Sequence, residues 1–211
     1  MHTLLIAILS VGFVGFAAGH GRLIDPAARN AMWRFGFPNP RNYNDNELNC
    51  GGFSTQWQKN QGKCGVCGDP YHVKTQAHND GGKYANNIIA KTYKKGQVIE
   101  VEVHLTSNHQ GWFEFRVGNY ENKKIEGDLI GKLKGHLLEL VTGGTRFVLP
   151  RGSGTGKFKT KLKLPAGLVC QKCVMQWWYN AGNNWDCDSD GCGVGHGKQE
   201  HFINCADIKI E

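Results

Sequence analysis

Two histidines, His20 and His109, and one expected chain cut define the chemistry open to this sequence. Residues 1–19 are apolar, running from Leu4, Leu5 and Ile6 to Phe16, and hold no Lys, Arg, Asp or Glu. They end in Ala17-Ala18-Gly19, small residues of the kind signal peptidase accepts before the scissile bond. The apolar run is shorter than the ~20 residues a spanning helix needs, so it reads as a signal peptide rather than an anchor. Cutting after Gly19 leaves His20 as the first residue of a secreted, extracellular chain. An N-terminal His offers one metal ion two nitrogens, its α-amine and its ring Nδ1. No internal His has that pair.

His109 sits in Thr106-Ser-Asn-His-Gln-Gly111, between two segments that read as strands. A short connection between rigid strands is a good place from which to aim an imidazole. The His20 amine, His20 Nδ1 and one His109 nitrogen would set three nitrogens in a T, leaving other positions open. Nitrogen-rich tetragonal geometry suits copper(II). The same donors hold copper(I), so one copper ion per chain could cycle through one-electron reduction.

The elements that must position these residues follow from the rest of the chain. Residues 20–211 are enough for one domain with a sizeable core. The formal charge of +7 lies entirely outside the leader, but its Lys residues are scattered or alternate along strands, as solvated faces do. Charge therefore makes no case for nucleic acid or a membrane as partner, and a monomer is expected. No Asn-x-Ser/Thr sequon is present.

Eight cysteines, Cys50, Cys64, Cys67, Cys170, Cys173, Cys187, Cys192 and Cys205, all follow the leader. An even number in a secreted chain reads as four disulfides. Cys64-x-x-Cys67 and Cys170-x-x-Cys173 also have zinc-ribbon spacing, the rival reading. Eight Cys allow about a hundred connectivities, and spacing does not choose among them.

From His20 to about Tyr93 there is little periodicity, and Asn, Gly, Pro and aromatics abound. Only Pro26 to Phe35 reads as a short helix, with Asp25 as cap. So long an irregular region is more often functional than filler. Period two then takes over. Ile99, Val101, Val103 and Leu105 alternate with Glu100, Glu102 and His104, and Phe113, Phe115 and Val117 follow the same rule. Phe158, Leu162 and Leu164 are interleaved with Lys157, Lys159, Lys161 and Lys163, a row that deters edge pairing. Arg146 to Leu149, Val174 to Tyr179 and Phe202 to Ile210 are further strand candidates. The fold expected is all-β, an immunoglobulin- or fibronectin-III-like antiparallel sandwich with long disulfide-stapled loops and a short helix. Gly152-Ser-Gly-Thr-Gly156 lacks the Lys-Ser/Thr and helix of a phosphate loop and reads as a hairpin turn.

At this point the motifs carry a resemblance. The His-Gly start, Asn108-His109-Gln-Gly-Trp-Phe-Glu-Phe-Arg116, Gln176-Trp-Trp-Tyr-Asn-Ala-Gly-Asn-Asn-Trp185 and Gln199-Glu-His-Phe-Ile-Asn-Cys-Ala-Asp-Ile208 resemble the insect-type lytic polysaccharide monooxygenases, auxiliary activity family fifteen. It spans essentially all of residues 20–211. The resemblance implies a copper histidine brace of His20 and His109, with Phe202 at the axial position where many relatives carry Tyr. It also implies Glu200 beside the reacting oxygen and Ser107 as a small residue leaving room at the open face. His201 should point to the opposite side of its strand.

The activity implied is oxidative cleavage of crystalline chitin, with cellulose as a further substrate. An external electron donor and O2 or H2O2 drive a copper-dependent loss of hydrogen from C1 or C4 of a pyranose, with C1 expected, and elimination then breaks the glycosidic bond. Insoluble polysaccharide offers a flat face on which exposed aromatics stack, and Tyr43 and then Trp33 are the candidates. The rival functions are a non-catalytic chitin-binding module, a copper-carrying protein and a basic protein recognising acidic glycans.

Overall fold

The computed structural model describes residues 20–211, so the expected signal peptide lies outside the described residues. In chain order the strands are β1 (His20–Asp25), β2 (Lys91–Tyr93), β3 (Val98–Ser107), β4 (Trp112–Asn119), β5 (His136–Leu137) and β6 (Glu139–Leu140). They continue with β7 (Phe147–Val148), β8 (Gly156–Lys163), β9 (Cys170–Asn180), β10 (Trp185–Asp188), β11 (Gly191–Val194) and β12 (His201–Ile210). One sheet has the order β1-β3-β8-β6, the second β2-β12-β9-β4-β5 with β7 also beside β4, and β10 and β11 form a separate two-stranded ribbon. All pairs are antiparallel except β2 with β12, which is parallel.

The alternating segments bury the faces their sequence predicts. Ile99, Val101, Val103, Leu105 and Leu162 from the first sheet meet Phe113, Phe115, Val117, Trp177, Tyr179 and Phe202 from the second in one apolar core. The lysines of β8 face solvent and pair with the neighbouring strand: Lys159 Nζ lies 3.1 Å from Glu100 and Lys157 Nζ 3.1 Å from Glu102. Short β6 covers the outer edge of β8 only at Leu162 and Lys163, so the charged row guards the open remainder.

Within the second sheet, β9 and β12 are buried on both faces along nearly their whole length, polar Gln176, Asn204 and Asp207 included. The irregular region before β2 forms its roof. Cys50, Cys64, Trp178 and Ile203 pack in one outer cluster, and Val66, Cys67, Val174 and Cys205 belong to another. Arg29, itself buried, holds Asp207 of β12 through Nε at 2.7 Å and Nη2 at 2.6 Å. Four disulfides staple the arrangement: Cys50–Cys64, Cys67–Cys205, Cys170–Cys173 and Cys187–Cys192. The zinc-ribbon reading is thereby overturned, since Cys64 and Cys67 each bind a different partner.

Two local expectations are corrected. The helix from Pro26 to Phe35 is only a 3-10 turn, Met32–Phe35, and Asp25 ends β1 instead of capping it. The N–H groups of Ala28 and Arg29 go to Leu23 O (3.3 Å) and Cys205 O (2.8 Å), so the first helical turn never closes. The turn at 152–156 is not a hairpin either. It carries the chain from β7 in one sheet to β8 in the other.

Candidate functional site

His20 opens β1 and stands opposite Ser107, the last residue of β3. Its strand is tied down by Gly21 N–H donating to Asn46 O (2.8 Å) and by the Thr106 hydroxyl donating to His20 O (3.4 Å). A Cβ on Gly21 would lie 2.5 Å from Leu105 Cδ2 and 3.1 Å from Trp177 Cη2, so only glycine lets β1 seat this close to the core. The His20 ring turns Nε2 toward Glu47 Oε1, 3.6 Å away, and is half-buried.

His109 sits where residues 108–111 cross from β3 in one sheet to β4 in the other. Asn108 fixes the crossing by donating its amide to Ser153 O (2.9 Å), Ser153 Oγ (3.0 Å) and Gly154 O (2.9 Å). The backbone N–H of His109 donates to the Tyr179 hydroxyl (3.2 Å), which donates onward to Gln110 O (2.7 Å). Gly111 has φ +85° and faces the Asn180 carbonyl so closely that a Cβ would collide with it. The ring is buried, with Nε2 3.4 Å from Ser107 Oγ and Nδ1 2.6 Å from the Asn183 side-chain amide. Burial, and then the nearby charge of His20, hold its pKa below the usual histidine range. A neutral imidazole with a free lone pair is the state a metal ligand requires.

On the second sheet, Phe202 is fully buried, and its ring lies 5.6 Å from that of Tyr179, its partner in the β9–β12 register. Glu200 immediately precedes β12 and is buried; Asn49 donates to its Oε1 at 2.9 Å. Burial first, and then the charge of Glu200, raise the Tyr179 phenol above the usual tyrosine range. His201 faces the other way, as expected. Its Nδ1 meets Gln56 at 2.7 Å, its Nε2 meets Asn180 at 3.1 Å, and its ring packs 4.4 Å from Trp178.

The two aromatic candidates divide. Tyr43 is 74% exposed, while Trp33 is half-buried, edge-on to Tyr43 at 5.4 Å and covered by Arg34 at 4.4 Å. Trp33 thus props Tyr43 rather than presenting a face of its own. Their loop is clamped at Asp45, which is held by Arg22 at 2.8 Å and also by Arg34. Next in sequence stand Asn46 and Glu47, the residues that reach the His20 strand.

Sequence reasoning missed Glu47, Asn183, Tyr179 and Trp185. Trp185 is 68% exposed and opposes Val194 in the β10–β11 hairpin, whose outer face also carries Cys187 and Cys192. The signal for that hairpin is present in Trp185-Asp-Cys-Asp-Ser-Asp-Gly-Cys-Gly-Val194, where two Cys flank a turn. Glu47 and Asn183 are remote in sequence from the histidines they touch, and no local pattern marks them.

Among the described residues, no group of three or more His, Cys, Asp or Glu side chains gathers to hold a metal. The donors on hand are two imidazoles and the main-chain nitrogen of His20, a set that fits copper better than a hard cation. The family described as lytic polysaccharide mono-oxygenase, cellulose-degrading, matches residues 20–208. The chain is similar to the AA15 lytic polysaccharide monooxygenase from Thermobia domestica in the Cu(I) state. That match has 44% identity and a TM-score of 0.83, over 90% of this chain and 98% of that one. LPMO10B from Micromonospora aurantiaca aligns at 14% identity and a TM-score of 0.43, over 90% and 99%, a likeness too slight to carry a conclusion. No curated protein matches the sequence at a significant level.

Proposed function

Because the chain belongs to the lytic polysaccharide monooxygenases, we propose that it is a secreted copper enzyme cleaving crystalline chitin by oxidation at C1. The observation that carries this reading is the meeting of His20 and the His109 loop at the β1–β3 strand end, within the family's sandwich. Processing between Gly19 and His20 is supported by the start of the family match at residue 20, and it would free the α-amine. The mature single domain is then 20–211.

His20, through its amine and Nδ1, and His109, through Nε2, are the residues that would hold copper. Copper, able to change oxidation state by one electron, supplies the redox chemistry that no side chain here can. The chain's own part is positioning and proton control. Ser107 keeps the space between the two rings small but open. Phe202 offers no oxygen where many relatives carry Tyr, so the side chain at that place supplies hydrocarbon and no ligand atom. Glu200, fixed by Asn49, is the group placed to accept or return a proton, and Tyr43 with Trp185 supplies apolar faces for sugar rings. An external donor provides electrons, and O2 or H2O2 the oxygen atom. No pair of carboxylates is needed.

Mass spectrometry of soluble products from the copper-loaded mature protein with ascorbate, on β-chitin and cellulose in parallel, tests the reading. Aldonic-acid oligosaccharides that vanish without reductant are expected from chitin. The cellulose-degrading description of the matched family favours cellulose as a second substrate, and the parallel arm decides it. Intact polymer on both, with copper bound and His20 verified as the terminus, would leave a chitin-binding module or copper carrier in place of the enzyme.

A further inference from the structure

We propose that Asn183 is the positioning residue that decides which nitrogen of His109 is left bare for a metal. Its carboxamide oxygen would accept the Nδ1–H, keeping the lone pair on Nε2. The inference rests on the reading of His109 as a copper ligand and adds to it the group that sets its tautomer.

The two nitrogens of the His109 ring face different neighbours. Nε2 lies 3.4 Å from Ser107 Oγ, and Ser107 is the residue facing His20, so this nitrogen is turned toward the second imidazole. Nδ1 lies 2.6 Å from the Asn183 amide. A neutral imidazole carries one proton and one lone pair. A ring that binds through Nε2 must therefore keep its proton on Nδ1, and that proton needs an acceptor. In the structure the Asn183 nitrogen occupies this place, and donation from it would force the proton onto Nε2, the wrong tautomer. Carboxamide nitrogen and oxygen exchange by a half-turn that leaves the shape unchanged. Little resists the turn: Asn184 Nδ2 stands 3.4 Å from Asn183 Oδ1, at the long end for a hydrogen bond.

The backbone around Asn183 is held from two directions. Gly182 N–H donates to His109 O at 2.9 Å, so this segment is tied to the very residue it would orient. On the other side, buried Gln199 accepts from Asn183 N–H (3.1 Å) and Asn184 N–H (3.0 Å) through Oε1, and it donates to Asn184 O (2.9 Å). The His20 ring is likewise approached at Nε2, by Glu47 Oε1 at 3.6 Å. Partners of this kind typically change metal affinity by about 10–100-fold.

Nitrogen-15 NMR of the imidazoles in copper-free mature protein reads the tautomer directly. His109 is expected to carry its proton on Nδ1; an Nε2–H tautomer would overturn the proposal. Calorimetry with copper provides the second test. Asn183→Ala should raise Kd about 10–100-fold with little change in the melting point of the copper-free protein. Asn183→Asp, which keeps only acceptor oxygens at that place, should return Kd to within about threefold of the parent. An Asp variant as weak as Ala, or an Ala variant equal to the parent, would reject the assignment. If the parent binds copper no more tightly than His109→Ala, the copper reading itself fails, while the tautomer measurement still decides the role of Asn183.

Discussion

Ser107 stands opposite His20 across the β1–β3 pair and places its hydroxyl 3.4 Å from His109 Nε2, so one small side chain touches the space between both rings. Enlarging it should therefore disturb the pair without disturbing the sandwich. Ser107→Leu is expected to weaken copper binding roughly tenfold or more, a loss comparable to that of an orienting partner. Calorimetry would read this, and the melting point should hold. Unchanged affinity would mean that the rings meet elsewhere.

Gly111 is the residue on which the His109 crossing depends. Its φ is +85°, and the Asn180 carbonyl occupies the position of a Cβ. Gly111→Ala should cost more than about 2 kcal/mol, from left-handed backbone and collision together. Urea unfolding measures it. A loss under about 1 kcal/mol would show that the crossing has room to relax.

His201 gives the protein a built-in sensitivity to acid. Burial lowers its pKa from 6.5 to about 3, so the folded chain keeps it neutral where the unfolded chain would protonate it. Stability is thus complete above pH 6.5 and declines as pH falls toward 3. The loss is on the order of 3 kcal/mol by pH 4.5, before most carboxylates titrate. Replacing it by Gln, which can still meet Gln56 and Asn180, should remove much of that decline. Parallel stability curves for parent and His201→Gln between pH 7 and 4.5 would contradict this.

Tyr43, on the loop whose Glu47 meets His20, and Trp185, which opens β10 two residues after Asn183, are exposed aromatics. Removing either ring should weaken adsorption to β-chitin about three- to tenfold, the scale of one stacking contact. Copper affinity should stay constant. Depletion assays with Tyr43→Ala and Trp185→Ala measure the first and calorimetry the second. Adsorption that survives both substitutions would assign substrate contact to another face.

How much of this was legible depends on which faces are wet. β3 and β4 announce themselves because charged residues alternate with apolar ones along the exposed side of β3. β1 does not, since His20-Gly-Arg-Leu-Ile-Asp is short and Asp25-Pro26 mimics the start of a helix. The structure spends the N–H groups of Ala28 and Arg29 on Leu23 and Cys205 instead. β9 and β12 hide their inner face because the irregular region roofs the outer one. His20, His109, Phe202 and Glu200 could be named from motif order, and His201 from strand alternation. Asn183 and Glu47 could not, because only closure of the sandwich and its loops brings residue 183 to 109 and residue 47 to 20.

The hairpin of β10 and β11 bears on how turnover is driven. Cys187 and Cys192 are exposed, whereas the other six cysteines are buried. A thiol such as dithiothreitol or cysteine, supplied as electron donor, would meet this bond before the rest. It would then uncouple the two strands that hold Trp185 opposite Val194. Ascorbate feeds electrons without entering thiol exchange. The choice of reagent in the assay is thus also a choice of surface shape, and thiol-fed and ascorbate-fed protein should differ in grip on the polymer even at equal rates of copper reduction.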